Sequence, residues 1–316
     1  MNLALMLQFK HYGGYSSVAE RRSVAADVVG SNPTSRPKHP YDSTEHPSGT
    51  SVPRAPQAAL PDSATAHAAA SARIFAGTSG WAYPTWKPTF YPDKFPAKRF
   101  LEFYSTQLSS VEVNYTFRAF PTATMLENWL SATPEFFRFS FKAPQRITHI
   151  KRLANVESDV AYFVSTLEPV RQAGKLGLLL FQLPPNMKAD LPRLTAFLAA
   201  PALRAAGAPS IAFEFRHESW FTDKVYDVLR ANNAALCIAE SDDLATPEVH
   251  TASTHTSFRL RRTGAYTQAE IEAFAARFSA LAKQRDTYIY FKHEDEPTGA
   301  LNAVSFLEAI SRLGQE

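Results

Sequence analysis

Acidic and basic side chains recur in this sequence two residues apart, each pair at the end of a short apolar run. Glu112 and Asn114 close VEVN, Glu214 and Arg216 close FEFR, and Arg259 and Arg261 close FRLR. Single polar residues close similar runs: Lys142 in FSFK, Gln182 in LLLFQ and Lys292 in YIYFK. In an extended chain residues i and i+2 share a face, so each pair presents two polar groups to the same space. Glu112 and Glu214 are candidate catalytic residues, because a carboxyl works as general acid or base when burial and nearby cations set its ionisation. Lys142 is the third, as an acid/base group or, if crowded by other cations, as a Schiff-base amine. Arg216, Arg259, Arg261 and Lys292 are the types that hold phosphate or carboxylate, arginine through two parallel hydrogen bonds. Asn114, Gln182 and His217 add neutral hydrogen-bonding groups.

A different kind of site element is GTSGWAYPTW, Gly77 to Trp86. Gly77 and Gly80 bracket the end of an apolar run, where a missing side chain lets backbone approach a ligand, and Trp81, Tyr83 and Trp86 follow on a loop. Trp81, Trp86 and Trp220 are expected to stack on a sugar or a base. No metal or other cofactor is expected: His149, His217 and His293 show no HxxxH or HxH spacing, and cations nearby would repel a metal. His149 falls in a loop and reads as a hydrogen-bonding histidine.

These residues need elements to position them. From residue 73 onward, β-rich runs alternate with helix-period segments, the pattern of an α/β protein with a parallel sheet. Strands are expected at 74–79, 109–114, 136–142, 176–183, 210–216, 235–239, 257–261 and 287–292. Helices are expected at 97–108, 123–131, 156–172, 191–206, 221–232, 267–285 and 301–313. Only 240–256, with its Pro, Asp and Thr content, fails to read as a helix; it reads as a solvated loop or a lid. Eight strands and seven helices match the rhythm of a (β/α)8 TIM-type barrel, whose ligands bind at the C-terminal ends of the strands. An open doubly wound sheet is the alternative, but the phosphate-loop patterns GxGxxG and GxxxxGK[ST] are absent. In the barrel, the polar strand ends, including Asp242, Asp243, His293 and Glu294, gather over one mouth. Acids interleaved with bases there would form a neutralised cluster, serving either a ligand or the tying together of strands.

Composition bounds the partners. The chain has 316 residues, 45% apolar and 20% charged, enough for a large core. Its net charge is +3, and the first 72 residues hold six Lys and Arg against five Asp and Glu, which leaves the remainder nearly balanced. So small a surplus disfavours a long nucleic acid. The lone Cys237 lies in an apolar run and is expected to be a buried, inert thiol, in keeping with a cytoplasmic setting. No run approaches the ~18 apolar residues of a membrane span.

Residues 1–72 are a disordered extension by composition, with Pro, Ser, Thr and Ala dominating 39–72. Within it, Tyr15-Ser16-Ser17-Val18 and Gly30-Ser31-Asn32-Pro33 back-translate into the D-arm and T-arm consensus of a transfer RNA gene, fifteen codons apart. The expectation is therefore a spurious translation of a tRNA gene upstream of the true start; a basic targeting arm is the alternative.

The strings GTSGWAYPTW, VEVNYTF, FRFSFKAPQRITH, LGLLLFQLPPNM and FEFRHESW together resemble the YecE-like family, domain of unknown function 72, over roughly residues 73–316. The resemblance implies a TIM-type barrel. It marks Gly77, Trp81, Glu112, Asn114, Lys142, His149, Gln182, Pro184, Glu214, Arg216, His217 and Trp220 as site positions. Two stretches depart from the commoner family pattern: SFRLRRTG stands where relatives read something like YVRFHG, and Phe291-Lys292-His293 stands where many read FNN. Both add positive charge and point to a more anionic ligand. The expected function is an enzyme acting by acid/base chemistry on a small anionic, sugar-like or nucleotide-like molecule at the barrel mouth. A nucleic-acid or nucleotide-binding module and a non-catalytic scaffold are the alternatives.

Overall fold

Residues 176–182 read LGLLLFQ, and a strand apolar at nearly every position must be covered on both faces. A parallel barrel provides this cover: its interior is filled by side chains and its exterior is wrapped in helices. The computed structural model describes residues 74–240, 244–292 and 296–315. The extension 1–72, with its expected disorder and tRNA origin, lies outside them, as do Asp242, Asp243, His293 and Glu294.

The chain runs β1 (Ile74–Thr78), α1 (Phe100–Gln107), β2 (Ser110–Val113), α2 (Ala123–Ser131), β3 (Arg138–Lys142), α3 (Glu157–Thr166), α4 (Glu168–Gln172), β4 (Leu176–Gln182), α5 (Leu191–Leu198), α6 (Pro201–Arg204) and β5 (Ser210–Glu214). It continues with α7 (Asp223–Ala231), β6 (Ala235–Glu240), β7 (His255–Leu260), α8 (Gln268–Ala282), β8 (Asp286–Phe291) and α9 (Thr298–Leu313). The eight strands form one sheet in the order β1-β8-β7-β6-β5-β4-β3-β2, every paired neighbour parallel. The two ends of this sheet meet through Ser109, whose N–H donates to Ala76 O (3.2 Å) and whose Oγ accepts from Ala76 N (2.9 Å). The fold is thus a nearly closed (β/α)8 barrel, as expected. Among the described residues no helix joins β6 to β7, also as expected, and none is long and apolar enough to cross a membrane.

Two expected helices are interrupted. The segment 156–172 breaks into α3 and α4 at Leu167, and 191–206 breaks into α5 and α6 around Ala200. Pro169 and Pro201 explain both, since proline has no N–H for the helix ladder and starts a helix better than it continues one.

Period-two alternation sorts the strand residues. Leu179 and Phe181 pack outward into the large core shared with the helices. Phe75, Leu178, Leu180, Ala212, Ala235, Cys237, Tyr288 and Tyr290 form a separate cluster inside the barrel. Near its N-terminal end Phe75 stacks on Tyr288 at 4.9 Å. Higher up, the Tyr290 hydroxyl lies 2.8 Å from Ser110 Oγ and 2.6 Å from Ser140 Oγ, so this polar atom is satisfied without solvent. The next residue of the same phase on each strand reaches the mouth.

Candidate functional site

Glu112 is two residues beyond Ser110, Lys142 two beyond Ser140, Gln182 two beyond Leu180, Glu214 two beyond Ala212, and Arg259 two beyond Ser257. Strand geometry alone therefore lifts this polar set onto the layer above the Tyr290 hydroxyl. At its centre is Arg259, buried with only 2% of its surface exposed. Its Nη2 donates to Glu112 Oε1 at 2.8 Å and to Ser79 Oγ at 3.3 Å, and its Nη1 donates to Glu214 Oε2. Ser79 Oγ donates in turn to Glu112 Oε1 (2.9 Å), and Arg216 Nε donates to Glu214 Oε1 (3.0 Å). Strands 1, 2, 5 and 7 are tied together by one guanidinium.

Burial penalises every charge here, so the ionisation states rest on the neighbours. Burial would raise the Glu214 carboxyl, but Arg259, Arg216 and Arg261 outweigh it and hold it well below the usual carboxylate range. Burial would likewise lower Arg259, and the two glutamates more than reverse it. Arg261 is pushed down to about 10 by Arg259 and by burial. Lys142 is pushed down to about 8, first by burial and then by Arg259. Its ammonium sits 4.2 Å from the centre of the Phe117 ring. Among the described residues neither Lys142 Nζ nor the Arg261 guanidinium has a hydrogen-bond acceptor or a carboxylate within ion-pair distance. Among the described residues of this cluster, Glu112 and Glu214 thus face Lys142, Arg216, Arg259 and Arg261.

Two acceptors are also left over. Asn114 Nδ2 donates to Ser79 O (3.1 Å), but Asn114 Oδ1 and Gln182 Oε1 are buried without a partner, as is Arg259 Nε. Unsatisfied buried polar atoms are uncommon, and each calls for a partner that the described residues do not supply. The chain leaving β3 is unusual in the same region. Residues 146–150 form a π-helical turn, and Arg152, Leu153 and Asn155 follow with φ of 48°, 66° and 53°. Non-glycine residues in the left-handed region carry strain, which collects at functional loops. Phe117 connects this loop to the mouth, its ring 4.9 Å from that of His149, and His149 Nδ1 bonds Thr148 Oγ1 at 2.9 Å, in line with its hydrogen-bonding reading.

Several residues expected at the site are placed elsewhere. Trp220 is fully buried, stacks on Phe215 at 4.5 Å and donates from Nε1 to Met187 O (2.7 Å), so it packs the outer core and has no face to offer a ligand. Trp86 is also fully buried, against Tyr83, Phe90 and Tyr91. Of the three expected stacking tryptophans only Trp81 is partly exposed, with its ring edge-on to Trp129 at 5.3 Å. Gly77 belongs to the β1–β2 seam: a Cβ there would lie 1.8 Å from Ser110 O, so the glycine permits barrel closure. His217 Nδ1 accepts from Ser219 N (3.1 Å) and caps the turn leading to Trp220. Lys292 is two residues beyond the inward Tyr290, in the same phase as the other mouth residues, and also borders a cleft with Arg262, Tyr266 and Gly299. Two residues of the GTSGWAYPTW stretch that were given no catalytic or binding role join the cluster. Ser79 was legible as the next inward position after Gly77. Tyr83, whose hydroxyl donates to Ser79 O (3.1 Å) and is raised by burial and by Glu112, carries no sequence signal beyond its loop.

The model of the family "Protein of unknown function DUF72" matches residues 75–316. Among curated proteins the chain is 30% identical over 158 residues to UPF0759 protein YunF of Bacillus subtilis, covering 49% of this chain and 54% of that protein. It is 29% identical over 149 residues to UPF0759 protein YecE of Escherichia coli K12, covering 47% and 50%. The matches thus span about half the length of these curated relatives. Among solved structures, a DUF72 family protein from Thermotoga maritima superposes with a TM-score of 0.65 at 24% identity, over 74% of this chain and 98% of that one. One from Enterococcus faecalis gives 0.61 at 17%, over 75% and 95%. These likenesses support the barrel.

Proposed function

This chain belongs to the DUF72 family, and from that premise and the geometry of the mouth we propose that it is an enzyme acting on a small hydroxylated anion, with Lys142 as the proton-transferring group. The observation that carries the reading is the pair of cationic side chains, Lys142 and Arg261, left without acceptors among the described residues beside a buried Arg259–Glu112–Glu214 cluster. A phosphate or carboxylate would satisfy them, and the spare fork of Arg216 is available beside them. The open acceptors Asn114 Oδ1 and Gln182 Oε1 call for donors, which hydroxyl groups supply.

Within this reading the roles narrow. A general acid must hold a proton near neutral pH, and Glu214, kept ionised by three arginines, does not. Glu112 bonds the same guanidinium from the other side, through Arg259 Nη2. Lys142, brought to about 8, is close to where acid/base catalysis at neutral pH is most effective. Glu112 and Glu214 then serve as positioning residues that hold Arg259.

The test is a thermal-shift screen of the full chain against sugar phosphates, hydroxy acids and nucleotides. At least one hydroxylated anion should raise the Tm, and Arg261→Gln with Lys142→Met should remove that rise. Stabilisation only by neutral sugars, or a rise that survives both substitutions, would overturn the reading.

A further inference from the structure

Two lysines in this barrel are withdrawn from water in opposite ways. Lys175, immediately before β4, donates to Leu130 O (2.7 Å), Thr133 O (2.7 Å) and Thr133 Oγ1 (3.1 Å), so all three of its donors are used. Lys142, at the C-terminal end of β3, has an aromatic ring beneath it and no acceptor among the described residues. A structural lysine is held by oxygens. An amine held by carbon, with the guanidinium groups of Arg259 and Arg216 opposing the carboxylates of Glu112 and Glu214 around it, is set up to react.

We propose that Lys142 is a nucleophile that condenses with the carbonyl group of a small oxo acid to form an imine. This rests on the anion-binding part of the reading above and gives Lys142 covalent chemistry in place of simple proton transfer: the acid group is held by Arg216 and Arg261 while the carbonyl meets Nζ. The neutral amine attacks the carbonyl carbon. The C–N bond forms as the π pair moves to oxygen, which takes up a proton. The resulting carbinolamine loses that oxygen as water, and the two amine hydrogens are the two that leave with it, so no oxidant or reductant is needed. The half-exposed mouth exchanges the protons with solvent. A protonated imine adds no net charge relative to the ammonium it replaces, so the cluster around Arg259 keeps its balance. It also withdraws electrons from the carbon beside it, which suits the site to carbon–carbon or carbon–hydrogen cleavage next to a carbonyl. Burial and Arg259 keep part of the Lys142 population neutral near physiological pH, as the attack requires.

Reductive trapping reads this directly. The full chain is incubated with glyoxylate or pyruvate and cyanoborohydride, and modification of each lysine is followed by peptide mass spectrometry. Lys142 should be modified at least about tenfold faster than exposed Lys98 and Lys283, since its free-amine fraction at neutral pH is on the order of a hundredfold larger than that of an ordinary lysine. Lys175, with every donor engaged, should stay unmodified. A saturating non-carbonyl anion such as citrate should protect Lys142. Modification of Lys142 at the rate of Lys98, while anions still raise the Tm in a manner that needs Arg261, would overturn the imine and leave the binding reading standing. Slow modification with no anion-dependent Tm shift would overturn both.

Discussion

The two ends of the barrel interior are built from the same strands in the same phase, and they use polar groups in opposite ways. Toward the N-terminal end the Tyr290 hydroxyl is paired with Ser110 and Ser140 inside the barrel, and Lys175, just before β4, is paired with three oxygens of Leu130 and Thr133. Two to four residues further along the strands, Lys142 and Arg261 lack acceptors and Asn114 Oδ1 and Gln182 Oε1 lack donors among the described residues, and the loop after β3 holds three left-handed residues. The lower half is arranged for stability, and the upper half leaves polar groups open where a ligand could complete them. Lys175 and Lys142 represent the two regimes.

The comparison can be broken most forcefully at Arg259, which serves both. Arg259→Leu leaves Glu112 and Glu214 buried together without their shared cation. Chemical denaturation should show a loss of about 3 to 5 kcal/mol. A loss below about 1 kcal/mol would mean that the carboxylates find other partners.

Lys175→Met should cost less, about 1 to 3 kcal/mol, because it leaves the buried carbonyls of Leu130 and Thr133 without a donor. Lys142→Met should have the opposite sign. Removing a buried ammonium that faces Arg259 and has no acceptor among the described residues should stabilise the fold by about 0.5 to 2 kcal/mol at neutral pH. Two lysine-to-methionine changes with the same sign would collapse the distinction between the ends of the barrel.

The smallest effect is in pH. The Lys142 amine has a lowered pKa in the fold, so between about pH 8 and its unfolded value of about 10.4 the unfolded chain binds the extra proton. Stability therefore rises with pH through that window as the cost of the buried charge disappears. The Tm advantage of Lys142→Met over the wild type should shrink across the same interval. A constant difference would place the Lys142 pKa at its ordinary value.

Much of this was legible in the sequence because strand phase is a strict rule. The i, i+2 pairs Glu112/Asn114, Glu214/Arg216 and Arg259/Arg261, all closing apolar runs, were enough to bring acids and bases to one mouth. What remained hidden was decided by three-dimensional packing. Nothing in FRLR or FEFR says that Arg259 takes the buried centre and Arg216 the half-exposed edge. Trp86 and Trp220 have the same composition cues as a stacking tryptophan, and only the packing of Phe90, Tyr91 and Phe215 around them makes them core. Gly77 was read as a close approach to ligand, whereas its close approach is to Ser110 across the seam. The acceptors of Lys175 lie more than forty residues away in sequence, so no local pattern could set it apart from Lys142.

The most direct measurement is the titration of Lys142 itself, by competitive labelling of its amine between about pH 6 and pH 11 with and without an excess of a hydroxylated anion such as a sugar phosphate. Its half-point should lie near 8 in the free protein, and the anion should move it upward by supplying the missing negative charge. A half-point at the ordinary lysine value, or one that no anion displaces, would contradict an amine left open for a negatively charged ligand.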